Sequence, residues 1–388
     1  MNTQHCDLIV IGGGILGVFH AYHALQKGLK VALFERNQQP QGATVRNFGQ
    51  IVPSGMNLKW QAFGRKSLEI YQNIQHRFDL NISQNGSIYI ASNEEEVQLI
   101  EELHQINQAN DYVSQVWSAS ECFKRYPNLR KDYCKAALFF PGEISADPRF
   151  VIHRLLAYLQ QHPNFNYHPH TLIKEIDAEG AICKVTDHRT RTHTAEKVIL
   201  CCGSEFEVLY PDLFEQSDLE IVKLQMLRLQ PQTSLKMPGN ILTGLSIRRY
   251  ESFRECPSFA DIKAREDQTA YWKKWGVHIL FKQEADGSII LGDSHEYADA
   301  RNKDQIDIYI RQEVNQYFID EGKKIFDLEH WNIDTQWIGV YPQCKEADVF
   351  ERTLHNKVHI VTGIGGKGMT AGAGYSFTNI NKIYGFSN

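Results

Sequence analysis

The fold of this chain is decided by the stretch CDLIVIGGGILGVFHAYHALQKGLKVALFER, residues 6–36. Its apolar residues 8–11 precede a run of glycines, and apolar residues then recur at helical spacing before the apolar VALF, residues 31–34. This order predicts a strand, a turn, a helix and a second strand. The stretch is therefore predicted to form a βαβ unit.

Three glycines in the turn, Gly12, Gly14 and Gly17, form the pattern GxGxxG. The first permits a tight turn, the second lets a pyrophosphate approach the backbone, and the third allows close helix packing. Glu35 closes the second strand, where an acid accepts a hydrogen bond from a ribose hydroxyl. The pattern predicts a dinucleotide site and by itself leaves NAD and FAD open.

Composition limits the remaining classes of function. The 388 residues suit two domains, and 42% hydrophobic and 22% charged residues predict a soluble globular protein. A membrane span needs an apolar run of about 18 residues, and none is found, so we expect no membrane partner. The net charge of -5 with dispersed basic residues predicts no nucleic-acid partner.

Cysteine usage and the N-terminus bear on compartment and metals. The first residues, MNTQHCD, are nearly neutral and do not resemble an export signal. Eight cysteines occur without a CxxC pair or a metal-like Cys/His spacing, which favours reduced thiols in the cytoplasm and no metal site.

The rest of the chain predicts a nucleotide domain with a second domain inserted into it. GSIYIA and the helical NEEEVQLIEELHQINQAN follow the first unit, GVHILFKQEADGSIILGDSHEY predicts antiparallel strands, and HIVTGIGGKGMT predicts a strand before a second glycine loop. The predicted nucleotide domain comprises residues 1–85, 142–216 and 336–388, and the predicted substrate domain comprises residues 86–141 and 217–335.

Three features together resemble one family: IGGGILG with Glu35, KVILCCGS near the middle, and TGIGGKGMT at the end. They are similar to the flavin oxidoreductases related to glycine oxidase, D-amino-acid oxidase and sarcosine oxidase. The resemblance covers nearly the whole chain. It implies an α/β fold with a Rossmann-like FAD-binding domain of the glutathione-reductase type and an inserted α+β substrate domain built on an antiparallel sheet. It also implies FAD as the cofactor, in place of NAD.

Within that family, VRNFG, KLQML, GDSHEY, WIGVY and GGKGMT are similar to a subgroup associated with bacterial phosphonate breakdown. This resemblance implies oxidative deamination of 2-aminoethylphosphonate or its N-methyl form to phosphonoacetaldehyde. The alternatives are a D-amino-acid, glycine or sarcosine oxidase with a relocated cation, and a flavoprotein subunit without turnover. Whether O₂ or another acceptor reoxidises the flavin stays open.

The resemblance also implies a set of cofactor contacts. Gly339 stands where sarcosine oxidases attach FAD to a cysteine, so FAD is expected to be non-covalent. The amides of the second glycine loop, at a helix start, would stabilise negative charge on the reduced ring. The implied cofactor residues are Gly12, Gly14, Ile15, Gly17, Glu35, Arg36, Thr44, Arg46, Asn47, Ile173, Cys202, Gly203, Gly339, Gly365, Gly366, Gly368, Met369 and Thr370.

Tyr341 stands where the family's amino-acid oxidases place an arginine that binds the substrate carboxylate. A phenol does not replace a bidentate guanidinium, so an α-amino acid is disfavoured. His278 is either a structural strand histidine or a proton acceptor, and Lys367 is either a solvated lysine or a charge near the flavin. The catalytic candidates are His278, Tyr341 and Lys367. The substrate candidates are Arg46, Arg249, His278, Ser294, His295, Trp337 and Tyr341.

Overall fold

The computed structural model of the chain describes residues 5–387, the side chain of Lys303 excepted. Within that range there are nineteen strands: β1 His5–Ile11, β2 Val31–Phe34, β3 Gln50–Ile51, β4 Ile82–Ser83, β5 Ser87–Ala91, β6 Gln115–Ser118, β7 Ala136–Phe140, β8 Ile144–Ala146, β9 Phe165–His168, β10 Ile173–Asp177, β11 Cys183–Asp187, β12 Thr192–Leu200, β13 Leu219–Leu229, β14 Asn240–Leu242, β15 Leu280–Gln283, β16 Ile289–Asp299, β17 Ile333–Cys344, β18 Phe350–Leu354 and β19 Val358–Thr362.

The same residues form eleven α-helices: α1 Ile15–Gln26, α2 Leu58–Gln75, α3 Glu94–Ala109, α4 Ala119–Arg125, α5 Pro148–Leu159, α6 Pro211–Glu215, α7 Gly244–Ile247, α8 Phe259–Ala264, α9 Tyr271–Lys274, α10 Gln312–Ile325 and α11 Gly368–Tyr384. None of the helices in the described part of the chain has the length and apolar character that a bilayer crossing requires.

The first sheet has a parallel centre. β1 pairs in parallel with both β2 and β12, β2 pairs with β9, and β12 pairs with β19. β10, β11 and β18 extend it in antiparallel fashion. β1, α1 and β2 form the βαβ unit that the sequence predicts, and this prediction is confirmed. The carboxyl ends of the parallel strands share one edge, where α/β sheets bind ligands.

The second sheet is mostly antiparallel and has the strand order β17-β13-β16-β15-β14-β5-β7-β6. β15 and β16 form the hairpin predicted from the ADGS turn. β13 lies between β16 and β17 and pairs with both over most of its length. This sheet therefore presents β13, β16 and β17 as neighbouring strands, although β17 follows β13 by more than a hundred residues.

The strands change sheet near residues 86, 141 and 217, where the sequence predicts the changes of domain. The predicted boundary at residue 336 is wrong, because it falls inside β17, which pairs with β13 from Ile333 to Cys344. Residues 336–344 therefore belong to the second sheet. The division into two domains stays a prediction.

Helices α1, α2 and α11 pack together against one face of the first sheet. Their buried apolar residues form one cluster with the parallel strands, including Phe19, Trp60 and Tyr375. Two residues fix the contact between α1 and α11, since the His20 imidazole lies 2.9 Å from the Asn379 amide and 3.1 Å from the Ser376 hydroxyl. This packing holds the starts of α1 and α11, which carry the two glycine loops, on the same side of the sheet.

Candidate active site

A cavity of about 950 Å³ extends from the carboxyl edge of the parallel strands to the second sheet. Its walls include the ends of β1, β2 and β12 on one side, and residues of β13, β16 and β17 on the other. It brings together all eighteen residues that the sequence predicts to contact the cofactor. Their contacts with a cofactor stay predictions.

The first glycine loop is too tightly packed for side chains. Gly12 has a φ of +103°, and a Cβ there would lie 2.2 Å from the Cys201 carbonyl oxygen. A Cβ on Gly17 would lie 1.9 Å from the Gly12 carbonyl oxygen. Only glycine permits these approaches, so the backbone of the loop borders the cavity at the start of α1. The Thr44 hydroxyl accepts a hydrogen bond from the Ile15 amide at 3.0 Å.

Glu35 is buried beside this loop and borders the cavity. One carboxylate oxygen accepts a hydrogen bond from the Gly13 amide at 3.0 Å, and the other accepts one from the Asn37 amide at 2.9 Å. Each oxygen has a second lone pair, so the carboxylate can also accept from a ribose hydroxyl. The Thr171 amide donates to the Glu35 carbonyl at 2.9 Å, which places Ile173 near the same wall.

The second glycine loop is a short turn, Gly365–Lys367, that leads directly into α11. The Thr370 hydroxyl donates to the Gln50 carbonyl and accepts from the Val52 amide, both at 3.2 Å. These bonds hold the start of α11 against the cavity wall. Lys367 borders the cavity, but its ammonium lies 3.0 Å from the Glu251 carboxylate and is therefore partly neutralised.

The residues present fit a dinucleotide with a ring system. The N-termini of two helices border one cavity. Gly12 and Gly17 have no room for a side chain, and Glu35 lies beside the first glycine loop. Gln50 adds an orphaned polar group, because its buried amide nitrogen has no hydrogen-bond partner among the described residues. A buried amide without a partner is costly, and a bound ligand on this wall can supply one.

Asn47 has a different role from the one predicted. Its side-chain amide donates to the Thr44 carbonyl at 2.8 Å, and its side-chain oxygen accepts from the Gly49 amide at 2.7 Å. Asn47 borders the cavity, but it mainly fixes the loop that carries Thr44 and Arg46. Arg36 is exposed at the rim and forms an ion pair with Glu205 at 2.7 Å.

The other end of the cavity is built on β16, which contains a bulge. Gln225 of β13 pairs with Ser294 and Met226 pairs with Gly292, so Asp293 is the extra residue. Asp293 and His295 both border the cavity. Ser294 does not, because neighbouring side chains on a strand point to opposite faces. The structure therefore gives no support to the prediction that Ser294 binds substrate, which stays a prediction.

Asp293 lies between two histidines. Its Oδ1 is 2.5 Å from Nε2 of His278, and its Oδ2 is 3.9 Å from Nε2 of His295. All three side chains are buried and border the cavity. Nδ1 of His278 is 3.3 Å from the Ser246 hydroxyl, and Nδ1 of His295 is 3.1 Å from the Gly276 carbonyl oxygen.

Arg249 completes this end of the cavity. Its guanidinium donates to the Gly276 carbonyl and to the Tyr297 hydroxyl, both at 3.0 Å. Among the described residues no carboxylate lies within 4.0 Å of it. Its positive charge therefore faces the cavity without a close acidic partner.

The charges of these groups follow from their surroundings. Burial raises the pKa of Asp293, but His278, His295 and Arg249 outweigh burial and hold it at about 2. Burial, followed by the charge of Arg249, lowers the pKa of His295 to about 3. Asp293 is thus an anion and His295 is a neutral imidazole at neutral pH.

β17 supplies the remaining wall. Tyr341 borders the cavity, and its hydroxyl would lie 3.9 Å from a Cβ on Gly366 of the second glycine loop. Burial, then the charge of Asp293, raises the pKa of Tyr341, so the phenol stays protonated and can donate. Trp337 lies outside the cavity lining, and its indole donates to the Arg46 carbonyl at 3.2 Å; its predicted substrate contact stays a prediction.

Sequence reasoning missed several residues of the site. Asp293 lies within GDSHEY, and its alternation with His295 and Tyr297 is the signal in the sequence that could have identified it. Tyr250 and Gln50 carry no pattern in the sequence. The expectation of no metal site was based on spacing, yet His278, Asp293 and His295 have donor atoms within 4.8 Å of one another. Ligands of one ion lie about 3 Å apart, so the 2.5 Å contact is too short for two ligands of a shared ion.

Comparison with known proteins decides the family. The DAO family, described as FAD dependent oxidoreductases, matches residues 7–376. The chain belongs to this family. It is therefore an FAD-dependent oxidoreductase, and the fit of the cavity to a dinucleotide agrees with that cofactor. The family and fold predictions from the two glycine loops are confirmed at this level.

Relatives show how far the likeness extends. Human mitochondrial sarcosine dehydrogenase is 29% identical over 146 residues, which cover 37% of this chain and 16% of that protein. Glycine oxidase from Geobacillus kaustophilus has a similar structure, with a TM-score of 0.77 at 14% identity over 100% of this chain and 96% of the other. L-alpha-glycerophosphate oxidase from Mycoplasma pneumoniae, with FAD bound, has a TM-score of 0.75 at 19% identity, over 98% and 95%. These structural likenesses show the fold alone.

All eight cysteines are free, and seven of them are buried.

Proposed function

We propose that this chain oxidises a small primary or N-methyl amine that carries an acid group, with 2-aminoethylphosphonate or its N-methyl form as the substrate and phosphonoacetaldehyde as the product. The observation that carries the proposal is Arg249 in the same cavity end as Asp293 and His295, with Tyr341 on the neighbouring strand. A cation without a close acidic partner suits the acid group of the substrate.

The donors around Arg249 support a tetrahedral anion. Arg249 contributes a guanidinium, and the hydroxyls of Tyr297 and Tyr341 and the exposed Arg46 offer further donors on the same cavity. A phosphonate has three oxygens that point in different directions, so it needs several donors. A single planar guanidinium facing a carboxylate would not require these additional groups.

The bound FAD would accept a hydride from the carbon that carries the amine nitrogen. The protein orients that carbon, excludes water and removes the proton of the substrate ammonium, because only the neutral amine can lose a hydride. Water then hydrolyses the released imine to the aldehyde and ammonia or methylamine. His278, Asp293 and His295 are the titratable groups nearest to such an amine.

A second candidate is an oxidase of glycine, sarcosine or a D-amino acid. Arg249 also favours this function, because its guanidinium could bind a planar carboxylate. It would then replace the arginine that the family's amino-acid oxidases place at the position of Tyr341. Sarcosine dehydrogenase among the relatives adds support for such substrates.

Anaerobic stopped-flow reduction of the flavin separates these functions. We expect 2-aminoethylphosphonate or its N-methyl form to reduce the flavin faster than glycine, sarcosine or D-alanine. Arg249→Lys keeps the charge and loses the planar pair of donors, so it should slow a carboxylate substrate about tenfold or more and a phosphonate less. Arg254→Lys, at an exposed arginine on the rim, is the control.

Faster reduction by an amino acid, with a large loss in Arg249→Lys, would replace the phosphonate proposal with the second candidate. Absence of reduction by every amine tested would favour a flavoprotein subunit without turnover.

A further inference from the structure

Within residues 5–387, neither Oδ2 of Asp293 nor Nε2 of His295 accepts a hydrogen bond. The Gly276 carbonyl can only accept, so Nδ1 of His295 must carry the proton in their 3.1 Å contact. In the neutral imidazole Nε2 is then an acceptor, and it faces Oδ2 of Asp293 at 3.9 Å. Two acceptors, one of them an anion, therefore face each other at a distance too long for a direct hydrogen bond.

The other oxygen of Asp293 is already oriented. Nε2 of His278 lies 2.5 Å from Oδ1, and the Ser246 hydroxyl can donate to Nδ1 of His278. The contact between His278 and Asp293 is an ion pair by distance, without the alignment of a hydrogen bond. This contact fixes Asp293 so that Oδ2 is left for a ligand on the cavity side.

We propose that Asp293 and His295 form the subsite for the substrate's amine nitrogen. This inference rests on the proposed amine oxidation and adds the position at which the amine binds.

An amine nitrogen matches the gap in both chemistry and size. An ammonium group has only donors, and charge-assisted N···O contacts are about 2.8 Å long. A nitrogen about 2.8 Å from both acceptors would make an angle of about 90° between them, about 20° below the tetrahedral angle of an ammonium and within the tolerance of hydrogen bonds. A hydroxyl has one donor and could satisfy only one of the two acceptors.

Arg249 sets the direction of the substrate. It shares the Gly276 carbonyl with His295, so the anion site and the proposed amine subsite meet at one backbone atom. A small molecule with an ammonium at one end and an acid group at the other can occupy both. The charge pattern of the cavity is therefore that of a zwitterion receptor.

The test measures binding without turnover, using holoenzyme reduced with dithionite under anaerobic conditions. Calorimetric titrations compare two matched pairs that differ in the amine: 2-aminoethylphosphonate with ethylphosphonate, and glycine with acetate. Asp293→Asn keeps the shape of the side chain and removes its charge. Asp334→Asn makes the same change on β17, outside the cavity, and serves as the control.

For the pair of ligands that the unaltered protein binds more tightly, we expect Asp293→Asn to lower the affinity for the ligand with an amine about tenfold or more. The affinity for the ligand without an amine should change less than about twofold. His295→Phe keeps a ring and should show the same selective loss, which covers the case in which Asp293→Asn folds poorly. FAD content and the melting temperature report folding for each variant.

Equal weakening of both members of a pair would overturn the proposal, since it would show a purely structural role. Equal binding of both members by the unaltered protein would also overturn it. A selective loss confined to glycine would support the subsite and refute the phosphonate substrate, so the two proposals fail in different ways.

Discussion

Replacement of Glu35 by alanine tests the nucleotide site most directly. The carboxylate would bind a ribose hydroxyl of FAD, and within the protein it accepts hydrogen bonds from the Gly13 and Asn37 amides. Glu35→Ala removes the ribose contact and leaves these two amides without their acceptor. The structure thus adds a stability cost to the loss of affinity that the sequence predicts.

The two costs have different sizes. A hydrogen bond to a charged group contributes about 1.5 to 3 kcal/mol, which corresponds to a loss of FAD affinity of about 10- to 150-fold. The two amides lie beside the cavity, where water can reach them once the carboxylate is gone, so we expect about 2 kcal/mol of destabilisation. For a chain of 388 residues this lowers the melting temperature by about 2 to 3 °C.

The assay titrates apoprotein with FAD by fluorescence and records the melting temperature of apoprotein and holoprotein. Glu69→Ala is the control, because this exposed carboxylate pairs only with Lys66 on the surface. Unchanged FAD affinity together with a lower melting temperature would refute the ribose contact and leave Glu35 as a support of the loop.

Three further predictions follow from single residues. Acid or heat precipitation should release the FAD, and flavin left in the protein pellet would contradict non-covalent binding. Gly339→Cys should destabilise the protein by about 1 to 3 kcal/mol without attaching flavin, because its Cβ would lie 3.0 Å from the Arg46 carbonyl oxygen; mass spectrometry and thermal melts check both parts. Burial raises the pKa of Glu143 from 4.5 to about 7, so the contribution of this carboxyl group to stability should fall by about 3 kcal/mol as the pH rises from about 4.5 to 7. Glu143→Gln should remove that contribution, so denaturant titrations should show the stability difference between variant and unaltered protein changing by about this amount over the window, and a constant difference would contradict the raised pKa.

The first glycine loop could be predicted because its constraints are local. The approach of Gly17 to the Gly12 carbonyl depends on residues a few positions apart, and the βαβ unit is set by the alternation of apolar runs and glycines. The constraints on the second glycine loop are also local. This loop completes the resemblance to the flavin oxidoreductases, and that resemblance implied FAD. The family match over residues 7–376 confirms the conclusion that these short segments support.

The boundary at residue 336 could not be read in the same way. β17 has mixed polar and apolar residues, and nothing in WIGVY indicates that it pairs with β13. Strand pairing across more than a hundred residues depends on which edges are free in the folded sheet, which is a property of the whole chain. Tyr341 was identified as a site residue by resemblance, while its place in the second sheet required the structure.

The sequence by itself determined a dinucleotide site, because the site uses backbone loops whose glycines are visible in the chain, and the resemblance to the flavin oxidoreductases then implied FAD. The substrate end was decided only by the tertiary structure. Arg249, His278 and Asp293 come from separate segments, and a bulge in β16 sets which side chains of GDSHEY enter the cavity. One extra residue in a strand moves the following side chains to the opposite face of the sheet. The site therefore depends on the strand register, which residue types alone do not specify.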